Sequence, residues 1–257
     1  MSYATVEVHH DQEIAWIRLA RPDAGNALDG HACAELLHAL GHAVADEWIR
    51  VIAIAAHGPA FSVAGDLATP LAIAPRSPHP SIDAGPLLQA MRDCPRPIVA
   101  IVHGECHSAG LGLVAAADLA IASSRARFWM PELRGGLWPA LPLAAVARAI
   151  GPRRALELAM AGEPIDARAA QQLGLVQRTV EPEQLDTEAF VLLRGLGQRS
   201  PSALRHGLPA FRRGLDEDLG PALARARAAL TGLLATADAQ EALAAYQAGR
   251  KPLWRDE

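Results

Sequence analysis

Apolar and polar positions along this chain change period from segment to segment. Three short apolar runs are bounded by polar, Gly or Pro residues: Glu13 to Ala20 (EIAWIRLA), Val51 to Ala56 (VIAIAA) and Ile98 to Val102 (IVAIV). Each predicts a buried strand, and Asp118 to Ala122 is a fourth candidate. Between the first two runs the period lengthens. Asp29 is placed as an N-cap, followed by apolar Ala32, Cys33, Leu36, Leu37, Leu40 and Val44, the spacing of one helix face. Strands separated by helical segments imply parallel pairing with right-handed crossovers, hence an α/β fold.

Beyond about residue 140 the strand signals fade. Pro142 to Ile150, Pro152 to Ala161 and Asp166 to Leu173 read as helices, with Gly151 and Gly174 where helices should stop. From Pro201 onward the pattern is almost wholly helical. The expected organisation is an α/β core over residues 1–200 followed by a helical region over 201–257. That region carries more Ala and Leu than a lone surface helix needs, which predicts packing on a partner subunit. Leu67 to Pro86 resists assignment: it holds five prolines and little periodicity. A flap over a binding site and a plain surface excursion both fit such a loop.

Composition narrows the function classes. The chain has 257 residues, 51% of them apolar, and a formal net charge of −4 with acids and bases interspersed. No polybasic stretch points to nucleic acid as the main partner. Cys33, Cys94 and Cys106 have neither metal nor disulfide spacing, which makes a reducing cytoplasm the default. The opening MSYATVEVHHDQEIAW has no basic n-region and no apolar h-region, so secretion is not expected. Charges, Gly or Pro interrupt every apolar stretch before the roughly 18 residues that a membrane span needs.

Three constellations could carry chemistry. Phe61-Ser62-Val63-Ala64-Gly65-Asp66 follows the strand VIAIAA, and small residues at a strand's C-terminal end let a ligand approach the backbone. An ordinary tight turn with Asp66 as a cap is the alternative. Gly104 through Leu113 follows IVAIV, and Ser108, Ala109 and Gly110 would open a helix running to Ala117. Free N–H groups and the positive dipole end suit an oxyanion there, although Ser108 could simply be an N-cap. The glycines match neither a dinucleotide fingerprint nor a Walker A loop. His103, Cys106 and His107 have no convergent fourth ligand, so no metal is expected. The third constellation is Met130-Pro131-Glu132-Leu133. A lone Glu is usually a solvated surface residue, but apolar neighbours would make it a usable proton carrier.

In order and spacing these segments make the chain resemble the enoyl-CoA hydratase/isomerase (crotonase) superfamily. The resemblance extends through Arg21-Pro22 with Asn26-Ala27-Leu28, Ala117 to Ala122, Gly162 to Ala167 with Ala169-Ala170, Leu173 to Val176 and Arg250 to Trp254. It implies a spiral of ββα units with C-terminal helices that build homotrimers or hexamers. It also implies an acyl-CoA thioester substrate, with no separate cofactor because coenzyme A is part of the substrate. By motif position, Gly65 and Ala109 would donate two N–H groups to an enolate oxygen, and Glu132 would be the acid/base. Asn26, Ala27, Leu28, Ala64 and Asp66 would line the CoA moiety, and Lys251 would approach its phosphates.

One departure matters. Two-carboxylate hydratases of this family carry a Glu where this chain has Gly112. A single carboxylate suits double-bond isomerisation, with proton movement between C4 and C2, slightly more than hydration. His107, Glu105 or a residue of loop 67–86 is a candidate second group, and Trp129 and Trp138 are expected to shape the acyl pocket. Decarboxylation and thioester hydrolysis are further enolate or acyl chemistries open to such a site. A catalytically inactive binding or assembly protein, one that takes RNA through the basic segment Arg205 to Arg213, is the alternative from another class.

Overall fold

The computed structural model describes residues 3–63 and 84–255. Within them the chain opens with a hairpin, β1 (Val6–Asp11) and β2 (Ile14–Leu19), which turns at Gln12, a residue at φ 54°. Helix α1 (Gly30–Ala45) follows, and the Asp29 side chain caps it by accepting from the Ala32 N–H at 2.8 Å. Then come β3 (Val51–Ala56), β4 (Ala60–Ser62), α2 (Ala84–Asp93), β5 (Ile98–Val102), β6 (Glu105–His107) and α3 (Ala109–Ala116). Strands β7 (Leu119–Ser123) and β8 (Arg127–Trp129) precede α4 (Ala140–Ile150) and α5 (Pro152–Ala161). The remainder is β9 (Ile165–Asp166), α6 (Ala167–Leu173), β10 (Arg178–Val180), α7 (Leu185–Gly197), α8 (Pro201–Gly214), α9 (Leu219–Leu234) and α10 (Ala237–Gln247).

Two sheets organise the α/β part. The larger has the order β1-β2-β3-β5-β7-β10, parallel throughout except for the β1–β2 hairpin. The smaller has the order β4-β6-β8-β9, with β4, β6 and β8 parallel and β9 antiparallel to β8. The large sheet is covered on both faces, which is why its strands read as unbroken apolar runs. Ile17, Ile52, Ile54, Ala100 and Val102 pack on the side of α1, α2 and α3. Trp16, Ala53, Val99 and Ile101 pack on the other side against Leu185, Ala189 and Leu193 of α7.

The four expected strands and the helices at α1, α4, α5 and α6 are present. Beyond the expectation are β1, α7, α2 and the whole small sheet. Strand pairing also continues past residue 140, in β9 and β10. Ala84 to Pro86, the end of the unassigned loop, open α2, and the rest of that loop lies outside the described residues. The C-terminal region is helical only to Gln247, after which the described chain runs without helix to residue 255. Among the described residues no helix is long and apolar enough to cross a membrane.

One arginine of the basic segment of α8 is withdrawn from solvent. Arg212, with a side chain only 10% exposed, grips both oxygens of Asp118 and donates to the carbonyls of Arg92 and Cys94. Arg213 pairs with Asp93. These bonds dock the helical region onto the α/β core and commit Arg212, and in part Arg213, of the segment considered for RNA to contacts within the chain.

Candidate active site

The small sheet brings the chemistry together. Ser62 pairs with Cys106, and His107 pairs with Trp129, along parallel strands. The segments that follow β4, β6 and β8 therefore leave the sheet at one end, side by side. Phe61, Cys106 and Phe128 face inward and are fully buried, which anchors all three strands in the core. Burial also pushes the Cys106 thiol well above its usual range, so it is not a nucleophile.

Helix α3 starts under unusual conditions. Ser108, just ahead of it, is buried at φ 55° and ψ −124°, a conformation that costs a residue with a Cβ about 1–3 kcal/mol. Its hydroxyl caps nothing and has no hydrogen-bond partner, so the N-cap alternative is corrected. The Ser108 N–H donates to the Trp129 carbonyl at 3.3 Å, which ties this turn to β8. The backbone N–H groups that open α3, beginning with Ala109, are thus left uncapped at the dipole's positive end. Gly110 explains how the helix sits so close to β4. A methyl group there would come within 2.6 Å of Ser62 Cβ and 2.8 Å of the Ser62 carbonyl oxygen.

Glu132 follows β8 by three residues and opens a 3-10 turn, Glu132–Gly135. The turn holds its backbone, with the Glu132 carbonyl accepting from Gly136 and Leu137. One carboxylate oxygen, Oε2, is buried and has no hydrogen-bond partner. A buried acceptor left unsatisfied costs about 1–3 kcal/mol, and folds rarely keep one without a use.

His107 lies beside this turn, with its ring 4.4 Å from that of Trp129. Burial lowers its pKa from 6.5 to about 4, so the imidazole is neutral at physiological pH. Glu105 is exposed. Among the described candidates for a second group, His107 pairs in register with Trp129, three residues ahead of Glu132, and loop 67–86 lies mostly outside the described residues. Trp129 is half-buried, while Trp138 is largely exposed. Among the described residues no group of three or more His, Cys, Asp or Glu could hold a metal.

The CoA-lining candidates divide. Ala64, Gly65 and Asp66 lie outside the described residues. Asn26 is 2% exposed and its amide is fully committed: it accepts from the Arg21 N–H and donates to the carbonyls of His57 and Ala60. Its role is to fasten the loop after β2 to the chain entering β4, so the side chain itself is not offered to a ligand. Ala27 and Leu28 follow it, partly exposed, on that fastened loop. Lys251 does not join the site within this chain. It shares a depression with Glu13 and Arg50, which precede β2 and β3. The six-residue strands put that end roughly 20 Å from the C-terminal ends of β2 and β3, where His57 follows.

The family profile described as enoyl-CoA hydratase/isomerase matches residues 9–257. The chain is similar to the mitochondrial enoyl-CoA hydratase domain-containing protein 3 of Rattus norvegicus, 34% identical over 93% of this chain and 80% of that protein. It is similar to a probable enoyl-CoA hydratase of Mycobacterium tuberculosis, 31% identical over 98% of both. A crystal structure of an enoyl-CoA hydratase subunit from Geobacillus kaustophilus matches with a TM-score of 0.91 at 30% identity, covering 99% of each chain.

Proposed function

The chain belongs to the enoyl-CoA hydratase/isomerase family, and from that premise we propose that it binds an unsaturated acyl-CoA thioester and uses Glu132 as its single acid/base group. The thioester oxygen would rest on the N–H groups of Ala109 and Gly65. The Glu132 carboxylate removes a proton from the acyl chain, the electron pair moves into the thioester oxygen, and the hole holds the resulting enolate. The same carboxyl returns the proton two carbons along, between C2 and C4, so that the double bond shifts and the enzyme ends unchanged. One oxyanion-hole donor typically contributes about 10²–10³ in rate. Positioned proton transfer adds about 10²–10⁴.

The observation that carries this reading is the buried, partnerless Oε2 of Glu132. Hydration is the second reading, favoured by the half-buried neutral His107, which is able to position a water. We further propose a homotrimer or hexamer. Leu219, Leu223, Leu230 and Leu234 fall on one face of α9, and each is more than half exposed. Three buried thiols without bridges support a reducing, cytoplasmic setting.

The test is a panel of 2-enoyl- and 3-enoyl-CoA esters followed by mass spectrometry, run on wild type and Glu132→Gln. Isomerisation leaves the mass unchanged and hydration adds one water. The variant should lose turnover by at least about a hundredfold while still binding the ester. Undiminished turnover in Glu132→Gln would remove Glu132 as the base.

A further inference from the structure

The end of the large sheet away from Glu132 carries a second depression, of about 990 Å³. That is the upper end of the size of small-molecule sites, about 300–1,000 Å³. Glu13 and Arg50 contribute from the starts of β2 and β3, Arg199 from the turn after α7, and Lys251 and Trp254 from the C-terminal segment.

The charge of this surface is unlike that of the rest of the chain. Glu13 is the one acid along it, and Arg194 already holds that carboxylate at 2.7 Å. Arg50, Arg199 and Lys251 form no ion pair or side-chain hydrogen bond among the described residues. Three uncompensated cations thus face one depression in a protein whose net charge is −4. Cations gathered in this way repel one another until an anion bridges them, and phosphate oxygens accept several charge-assisted hydrogen bonds at once.

The aromatic content points further. Trp48 lines the depression yet is 83% exposed, an indole held out beside the cations. Trp254 is fixed differently, its Nε1–H donating to the Gln198 carbonyl at 2.8 Å, which makes it a rigid wall. Exposed aromatic rings beside cationic side chains bind bases by stacking while the cations take the phosphates.

We infer that this depression binds a phosphate-bearing aromatic ligand of the nucleotide class, at a place separate from the acyl site. The proposal does not depend on the role of Glu132. Isothermal titration of the full chain with ADP and with inorganic pyrophosphate tests it. ADP should bind at one site per chain, at least tenfold more tightly than pyrophosphate, and more weakly as salt rises. Trp48→Ala should weaken ADP about tenfold and leave pyrophosphate unchanged. Arg50→Ala with Arg199→Ala should weaken both ligands at least tenfold. The corresponding double Lys variant should restore pyrophosphate binding, which separates loss of charge from loss of fold. Failure to bind ADP, equal affinity for ADP and pyrophosphate, or unchanged binding in the variants would overturn the proposal. So would one-for-one displacement of ADP by butyryl-CoA, since the two sites would then be one.

Discussion

Substitution of Asn26 separates two roles for the loop after β2, ligand contact and internal fastening. Its side-chain amide makes three hydrogen bonds, of 2.9, 2.8 and 2.9 Å, to the backbone of Arg21, His57 and Ala60. Replacement by Ala deletes all three and strands one N–H and two carbonyls in a site that is 2% exposed. At about 1 kcal/mol per bond the loss is about 3 kcal/mol, more if no water reaches the gap. Asn26 also sits at φ 53°, where Asn is tolerated and Ala pays about 1–2 kcal/mol. Asn26→Ala should therefore lose about 4–5 kcal/mol in all, and Asn26→Gly about 1 kcal/mol less. For a chain of this length each kcal/mol lowers the thermal midpoint by about 2–4 °C. The Ala variant should accordingly melt roughly 10 °C or more below wild type. Urea titration and thermal unfolding read the stability, and steady-state kinetics with an enoyl-CoA read KM. A wild-type midpoint with a raised KM would refute the reasoning and place Asn26 against the ligand. An Ala variant as stable as the Gly variant would refute the backbone part alone.

Two further outcomes concern His107 and Arg212. His107 has a folded-state pKa near 4 against 6.5 in the unfolded chain. Between those values the unfolded chain binds the extra proton, so stability should fall as pH drops from 6.5 towards 4 and stay level above about 7. His107→Leu should flatten that acid limb in pH-dependent urea unfolding, and an unchanged slope would assign it to other groups. Arg212→Met leaves Asp118 without its cation at a site 17% exposed, which should cost about 3–5 kcal/mol. Combining it with Asp118→Asn should cost less than the two single changes added together. Unfolding of Arg212→Met within about 1 kcal/mol of wild type would show that the pair does not dock α8.

Most of the large sheet was legible in the sequence because its strands are buried on both faces. Val51 to Ala56 and Ile98 to Val102 can only be apolar throughout, and such runs announce themselves. The small sheet is different. Its strands β4, β6 and β8 are three residues each; β6 and β8 bury only their central Cys106 and Phe128, and β4 buries Ala60, Phe61 and Ser62 in a run too short to announce itself. No periodicity can be read from three residues, yet these strands make the site converge. The hairpin strand β1 was missed for a related reason: Val6 and Val8 alternate with Glu7 and His9 on an edge strand that is half in solvent. The site itself was legible only through motif order. Neither the commitment of Asn26 to the backbone nor the position of Lys251 at the far end of the sheet has a local signature, since both are set by contacts more than thirty residues away in sequence.

Gly112 bears most directly on the choice between moving a proton and adding water. A residue lost from a site can leave a vacant slot that a water refills, or the neighbours can close over it. Here they have closed. A methyl group on Gly112 would come within 3.2 Å of Pro142 Cα and 3.3 Å of its Cβ, with Leu88 Cδ1 at 3.9 Å. The near atom is backbone at the first turn of α4, which cannot swing aside as a long side chain can. A side chain at this position would thus require Pro142 to give by a few tenths of an ångström, and the atoms it meets, of Pro142 and Leu88, are apolar. Hydration needs a group to hold and orient the incoming water, and among the described residues the neighbours of Gly112, Pro142 and Leu88, supply none. Glu132, with an unpartnered oxygen, suits the proposed proton shuttle, in which the proton removed at one carbon is returned at another. The packing around Gly112 therefore accords with the proposed isomerisation, and among the described residues His107, at the end of β6, is the candidate to arrange water addition.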